Sequence, residues 1–202
     1  MELRLQAIWY LIQREGNREM KSLDIRIKRL CLAGIFLAIG LLLPFFTGQI
    51  PRLGSLLLPM HLPVFLCGLL CGWQYGLAVG GLLPLLRFAL FGMPKIFPTG
   101  IAMSFELAAY GLIAGALYAR EKKPGMAALY RSLICAMVAG RLIWGSVQVM
   151  LSGIAGAAFT WKMFLSGAIV TAIPGIVLQL VLIPVIVTAF ERAGIMRFEV
   201  QK

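Results

Sequence analysis

The sequence is poor in charge. Only 13% of its 202 residues are Asp, Glu, Lys or Arg, and eight of these are acidic. A soluble domain carries about a quarter charged residues, so a soluble globular fold is excluded. Histidine occurs once, at His61, and cysteine four times. A zinc site draws several such ligands from characteristic spacings. Cys67 and Cys71 stand four apart on one helix and Cys31 and Cys135 stand alone, so no metal is expected and all four read as small buried residues. There is no Gly-x-Ser-x-Gly, no pair of carboxylates within a span and no glycine-rich phosphate loop with its lysine. No catalytic residue and no cofactor is expected, and any ATP-driven activity needs its motor on another chain. Met1–Arg29 does not read as a signal peptide either, because its seven basic and four acidic residues leave no apolar core before Leu30.

Apolar residues fill the chain instead: 60% of it, with a mean hydropathy of +0.90. No charge falls between Leu30 and Pro51, and none between Leu53 and Leu86 apart from His61. A helix crosses a bilayer with about 20 apolar residues, and six segments qualify: 30–46, 56–73, 75–91, 99–119, 130–151 and 164–190. The fold class is an all-α integral membrane protein, a bundle of six transmembrane helices. It divides into a basic N-terminal segment (1–29), the six-helix domain (30–192) and a tail (193–202). In the first of these, Leu3, Leu5, Ile8, Trp9, Leu11 and Ile12 suit a short amphipathic helix lying on the inner membrane face. The last segment exceeds the length a span needs and is expected to tilt or break near Pro174.

The net charge of +11 would suggest nucleic acid in a soluble protein. In a membrane protein it is the ordinary excess of Lys and Arg in cytoplasmic loops, so no nucleic-acid partner is expected. With the N-terminus inside, fourteen basic residues fall in cytoplasmic segments and three (Arg52, Lys95, Lys162) in external loops. That asymmetry puts both termini in the cytoplasm.

Polar groups inside a span are costly, which makes each a functional candidate. At about 1.5 Å per residue, Arg87 lies about 6 Å deep from the outer face, Glu106 about 10 Å deep, and Arg141 near the midplane. Arg141, Trp144 and Gln148 recur at i, i+3 and i+7 on one face; Met103, Glu106 and Tyr110 share a face of span four. The expectation is an outward-facing pocket with a net charge of +1, in which one arginine pairs with Glu106 and the other meets a substrate anion, since a guanidinium forks onto carboxylate or phosphate. The competing reading is that Glu106 staples two helices and the spare arginine snorkels. His61, at the outer start of span two, suits a helix-start contact better than a ligand role. Gln49 in the first outer loop is a further candidate for closing over a bound molecule. Small residues four apart, Gly34 and Ala38, Gly68 and Gly72, Gly76 and Gly80, Gly111 and Gly115, allow close helix approach. Gly34 and Ala38 are the pair expected to face a partner protein.

Taken together, the chain resembles a substrate-binding S component of energy-coupling factor (ECF) vitamin transporters. The resemblance is carried by Leu58-Pro59-Met60-His61-Leu62-Pro63-Val64, Cys67-Gly68-Leu69-Leu70-Cys71-Gly72-Trp73, Gly76-Leu77-Ala78-Val79-Gly80, Pro84-Leu85-Leu86-Arg87, Phe91-Gly92-Met93-Pro94 and Glu106-Leu107-Ala108-Ala109-Tyr110-Gly111. It implies a multi-pass protein of a prokaryotic plasma membrane that binds a vitamin or precursor near the outer surface. It implies docking on a transmembrane coupling protein driven by two cytoplasmic ATPases, through an AxxxA motif that here reads Gly34-Ile35-Phe36-Leu37-Ala38. Among the family's substrates, pantothenate fits a small anion with an aliphatic body; pyridoxine-type vitamers, riboflavin, folate and α-ribazole are rivals. Two other classes fit some of the same residues: a structural membrane protein whose charges only pair helices, and an intramembrane enzyme using Glu106 and His61.

Overall fold

The computed structural model describes residues 2–48, 58–121, 125–156, 160, 163–164 and 172–193, with the backbone alone for 2–22, 47 and 48. Six α-helices account for most of them: α1 (Glu2–Gly48), α2 (His61–Cys71), α3 (Trp73–Phe91), α4 (Ile101–Ala119), α5 (Met126–Ile154) and α6 (Ile173–Arg192). A π-turn, Ile96–Gly100, leads into α4. No strand occurs among the described residues. Five helices are long and apolar enough to cross a membrane, the first of them over Leu23–Phe46 of α1.

The sixth expected span is the shorter α2. Its 11 residues extend about 16 Å at the helical rise, about half the hydrocarbon thickness. Local chemistry sets both ends. Pro59 precedes it and Pro63 sits in its first turn, where a missing N–H costs nothing. Gly72 ends it at φ +109 and ψ 160, a conformation open essentially to glycine alone. Gly72 is therefore a helix break, and its expected pairing with Gly68 as a packing motif does not hold. The other end of α3 stops at Gly92, at φ +70, whose N–H donates to the Phe88 carbonyl at 2.8 Å.

One further boundary differs from the sequence reading and another falls where it is expected. The N-terminal segment is not a separate short helix, because α1 runs unbroken from Glu2 to Gly48. In the last segment, α6 starts at Ile173, with Pro174 in its first turn.

The fold is centred on α4, which packs against α2, α3 and α5, while α1 covers α2 and α3, and α6 closes on α2 and α5. The outward stripes are apolar: Ile173, Val177, Val181 and Val185 on α6, and Ile134, Val138, Leu142 and Val149 on α5, are all exposed. Such stripes would be an aggregation hazard in water and suit a lipid environment. Cys67 and Cys71 are buried as expected, but Cys31 and Cys135 face outward.

Lipid tails provide no hydrophobic drive for helices to associate, so close backbone packing has to. The α2–α3–α4 junction is built from glycine. A Cβ on Gly76 would lie 2.6 Å from the Gly68 Cα, one on Gly111 would fall on the Gly76 carbonyl, and one on Gly80 would fall on the Leu107 carbonyl. Gly34 has nothing within 4 Å of its would-be Cβ. Overpacking costs about 1–3 kcal/mol where neighbours can yield, and backbone yields less than side chain. Gly111→Ala is therefore expected to lower the melting temperature in detergent micelles by several degrees, whereas Gly34→Ala leaves it unchanged or raises it. Tryptophan fluorescence during heating checks both.

Candidate binding site

Glu106 is the sole acidic residue between Asp24 and Glu121, and the fold buries it to 2% exposure. It sits on the sixth residue of α4, a turn and a half into the helix. Three side chains from three helices meet its Oε1. Tyr110, one turn along α4, donates its hydroxyl at 2.7 Å. Arg141 of α5 brings Nη1 to 3.0 Å, and His61, the first residue of α2, brings Nε2 to 3.6 Å. Removing a carboxylate from water is expensive unless it is paired and hydrogen-bonded, and this arrangement provides both.

Neighbouring packing fixes these groups. The ring of Tyr110 stacks on Phe65 of α2, with centroids 4.8 Å apart, and tilts against His61 at 5.3 Å. On the other side, a Cβ on Gly140 would fall within the Tyr110 ring, so glycine immediately before Arg141 is what lets α5 approach. His61 is held from its own side by the turn that starts α2. The Leu58 carbonyl accepts from the His61 N–H at 3.0 Å and from Gln179 Nε2 of α6 at 3.5 Å. Leu58 itself has φ +48, a left-handed conformation that costs a branched residue roughly 1–3 kcal/mol.

The site is not saturated. Arg141 uses one nitrogen on Glu106, while its Nε and Nη2 are buried without a hydrogen-bond partner. The same holds for Nδ1 and Nε2 of His61 and for Oε1 of Gln148. Trp144 stacks on Phe164 with centroids 6.3 Å apart, beside the face that carries Arg141 and Gln148. Buried polar groups are normally paired, so these atoms are exceptions concentrated around one ion pair.

Glu106, Tyr110, Arg141 and His61 are thus brought together, and Trp144 and Gln148 continue the same face of α5. Arg87 is not brought to them. The helix turns it toward α1, where Nη1 donates to the Leu41 carbonyl at 2.7 Å and the guanidinium lies 5.1 Å from the Phe45 ring and 5.7 Å from the Phe91 ring. The pair left at the site, Glu106 and Arg141, sums to zero rather than to the expected +1. Gln49, Arg52 and the rest of the first loop, together with residues 194–202 of the tail, lie outside the described residues. Sequence reasoning missed Phe65 and Gln179. The second had a signal, as the only amide in the apolar run of α6.

Removing one partner of a buried ion pair costs about 3–5 kcal/mol because the other charge stays behind, whereas removing both is far milder. Glu106→Gln or Arg141→Met alone is expected to lower thermal stability sharply. The double variant recovers most of that loss, a non-additivity that a double-mutant cycle in one detergent measures directly.

The comparisons with known proteins bear on this arrangement. No curated protein and no solved structure matches the chain. A family model does, over residues 28–187, and its description is ECF transporter, substrate-specific component. That stretch contains α2 to α5 whole, most of the membrane-crossing part of α1 and all but the last five residues of α6, so the chain belongs to that family: it is a multi-pass membrane protein, the substrate-specific S component of an energy-coupling factor transporter and not an enzyme.

Proposed function

We propose that the cluster around Glu106 and Arg141 is where this S component holds its cargo, a vitamin or vitamin precursor captured from outside the cell. The observation that carries this reading is the set of buried polar atoms without hydrogen-bond partners on Arg141, His61 and Gln148, placed around a carboxylate already paired through Oε1. Pantothenate is the first candidate, because the free guanidinium edge suits a carboxylate and the Trp144–Phe164 stack suits a small aliphatic body. Arg87 belongs to the α1–α3 contact and has no part in this set.

The charge asymmetry of the loops supports six membrane crossings with both termini cytoplasmic, α2 serving as the half-length one. In that orientation the Gly72 break faces inward and the site opens toward the outer α3–α4 turn. Delivery runs through a transmembrane coupling protein with two cytoplasmic ATPases. Gly34 and Ala38 are the proposed contact. Both are exposed on α1, while Ala33, Phe36 and Gly40 fill its inward face. An open small-residue face is what a second helix needs in order to come close.

The test is a ligand screen on purified protein with pantothenate, pyridoxine, riboflavin, folate, thiamine, biotin and α-ribazole, followed by thermal unfolding. A ligand at 100 times its Kd stabilises by about 2.7 kcal/mol, and one such hit is expected; a folded sample that responds to none overturns the reading. Gly34→Leu and Ala38→Leu are expected to abolish uptake in cells while the purified variants keep wild-type ligand affinity. Uptake that survives both substitutions removes this face from the docking surface.

A further inference from the structure

The unpartnered atoms differ in sense, and their order along α5 carries information. At one point stand donors: Nε and Nη2 of Arg141, together with a ring nitrogen of His61, neither of whose nitrogens makes a hydrogen bond although Nε2 lies 3.6 Å from Glu106. Nε and Nη2 are one edge of the guanidinium plane, the edge that meets both oxygens of a carboxylate in parallel. At the second point stands an acceptor, Oε1 of Gln148. Arg141 and Gln148 are seven residues apart, so they share a face of α5 and lie about 10 Å apart along it.

Between and beside these points the wall is aromatic. Trp144 and Phe164 stack at 6.3 Å, and a Cβ on Gly145 would fall on the Phe164 ring, so glycine is what seats that ring against α5. Oε1 of Glu106 offers a ligand little, since it already receives Tyr110 and Arg141. Because Glu106 balances Arg141, an incoming acid is held by hydrogen-bond donors, the free edge of Arg141 and a ring N–H of His61.

Resting on the reading of this cluster as the cargo site, we infer that the substrate is an extended acid recognised at two ends. Its carboxylate lies across the free edge of Arg141 and against His61. A hydroxyl or N–H about 10 Å away donates to Gln148, and an uncharged body lies along the aromatic wall. Arg141 and Gln148 are then the residues that set specificity, and Glu106 positions Arg141 without touching the ligand. Neutral vitamins, and acids too short to reach both ends, are discriminated against.

The experiment pairs acids with their neutral counterparts, pantothenate with panthenol, biotin with its amide and nicotinate with nicotinamide, in calorimetric titrations of the purified full chain. The expected result is that one long acid binds and its neutral counterpart binds at least about 100-fold more weakly, as loss of a charged bidentate contact implies. Arg141→Lys keeps the ion pair with Glu106 but removes the free edge, so the variant folds. It is expected to bring the acid down to the affinity of the neutral form while leaving the neutral form unchanged. Gln148→Leu is expected to cost about tenfold for the ligand that has the distal donor and nothing for an analogue lacking it. The inference is overturned if a neutral vitamin binds as tightly as any acid, or if Arg141→Lys weakens acid and neutral forms alike; the S-component reading survives both results. Silence from acids and neutral forms together counts against the cargo site itself.

Discussion

A buried carboxylate organises this bundle. Glu106 is a charge that the membrane interior does not tolerate alone, and every group that satisfies it arrives from a different direction: Tyr110 along its own helix, Arg141 across α5, His61 from the tip of α2. Three helices are thus referred to one oxygen atom. The glycines explain how they reach it. Gly140 admits α5 to the Tyr110 ring, and Gly68, Gly76 and Gly111 bring α2, α3 and α4 to backbone contact. Side-chain electrostatics and backbone proximity are two parts of one solution, because a larger residue at Gly140 would hold Arg141 away from its partner.

The same arrangement separates two roles that intramembrane charges often share. Glu106 fastens α4 to α5 through Oε1, while Arg141 meets it with one nitrogen and keeps two others without a hydrogen-bond partner. Arg87, equally conspicuous as a charge in an apolar run, serves a third purpose. It ties α3 to α1 through the Leu41 carbonyl and two phenylalanine rings. An arginine with its amphipathic length can serve either purpose, and its neighbours decide which.

Much of this was legible in the residues. Apolar run length located the long helices, and helical periodicity put Glu106 with Tyr110 and Arg141 with Trp144 and Gln148. The limits were equally physical. Periodicity assigns residues to a face but does not say which helix that face meets, so Arg87 was grouped with Glu106 when it turns to α1. Spacing alone does not distinguish a glycine that packs from one that breaks, so Gly72 was paired with Gly68 although it adopts φ +109. The apolar run 56–73 also exceeds α2, mostly before His61, since the helix covers only His61–Cys71, and run length alone does not show that His61 reaches to 3.6 Å of Glu106. Gln179 was overlooked because one amide in a strongly apolar run leaves the run's character unchanged.

The length of α1 has a mechanical consequence. Its membrane-crossing part begins at Leu23, yet the helix starts at Glu2, so 21 residues continue the same axis for about 32 Å beyond the span. Such an extension is a lever arm. A change in the tilt of the bundle that moves lipid-embedded residues by a few ångströms sweeps its far end through a much larger arc. Any reorientation of the bundle would thereby be magnified along this extension.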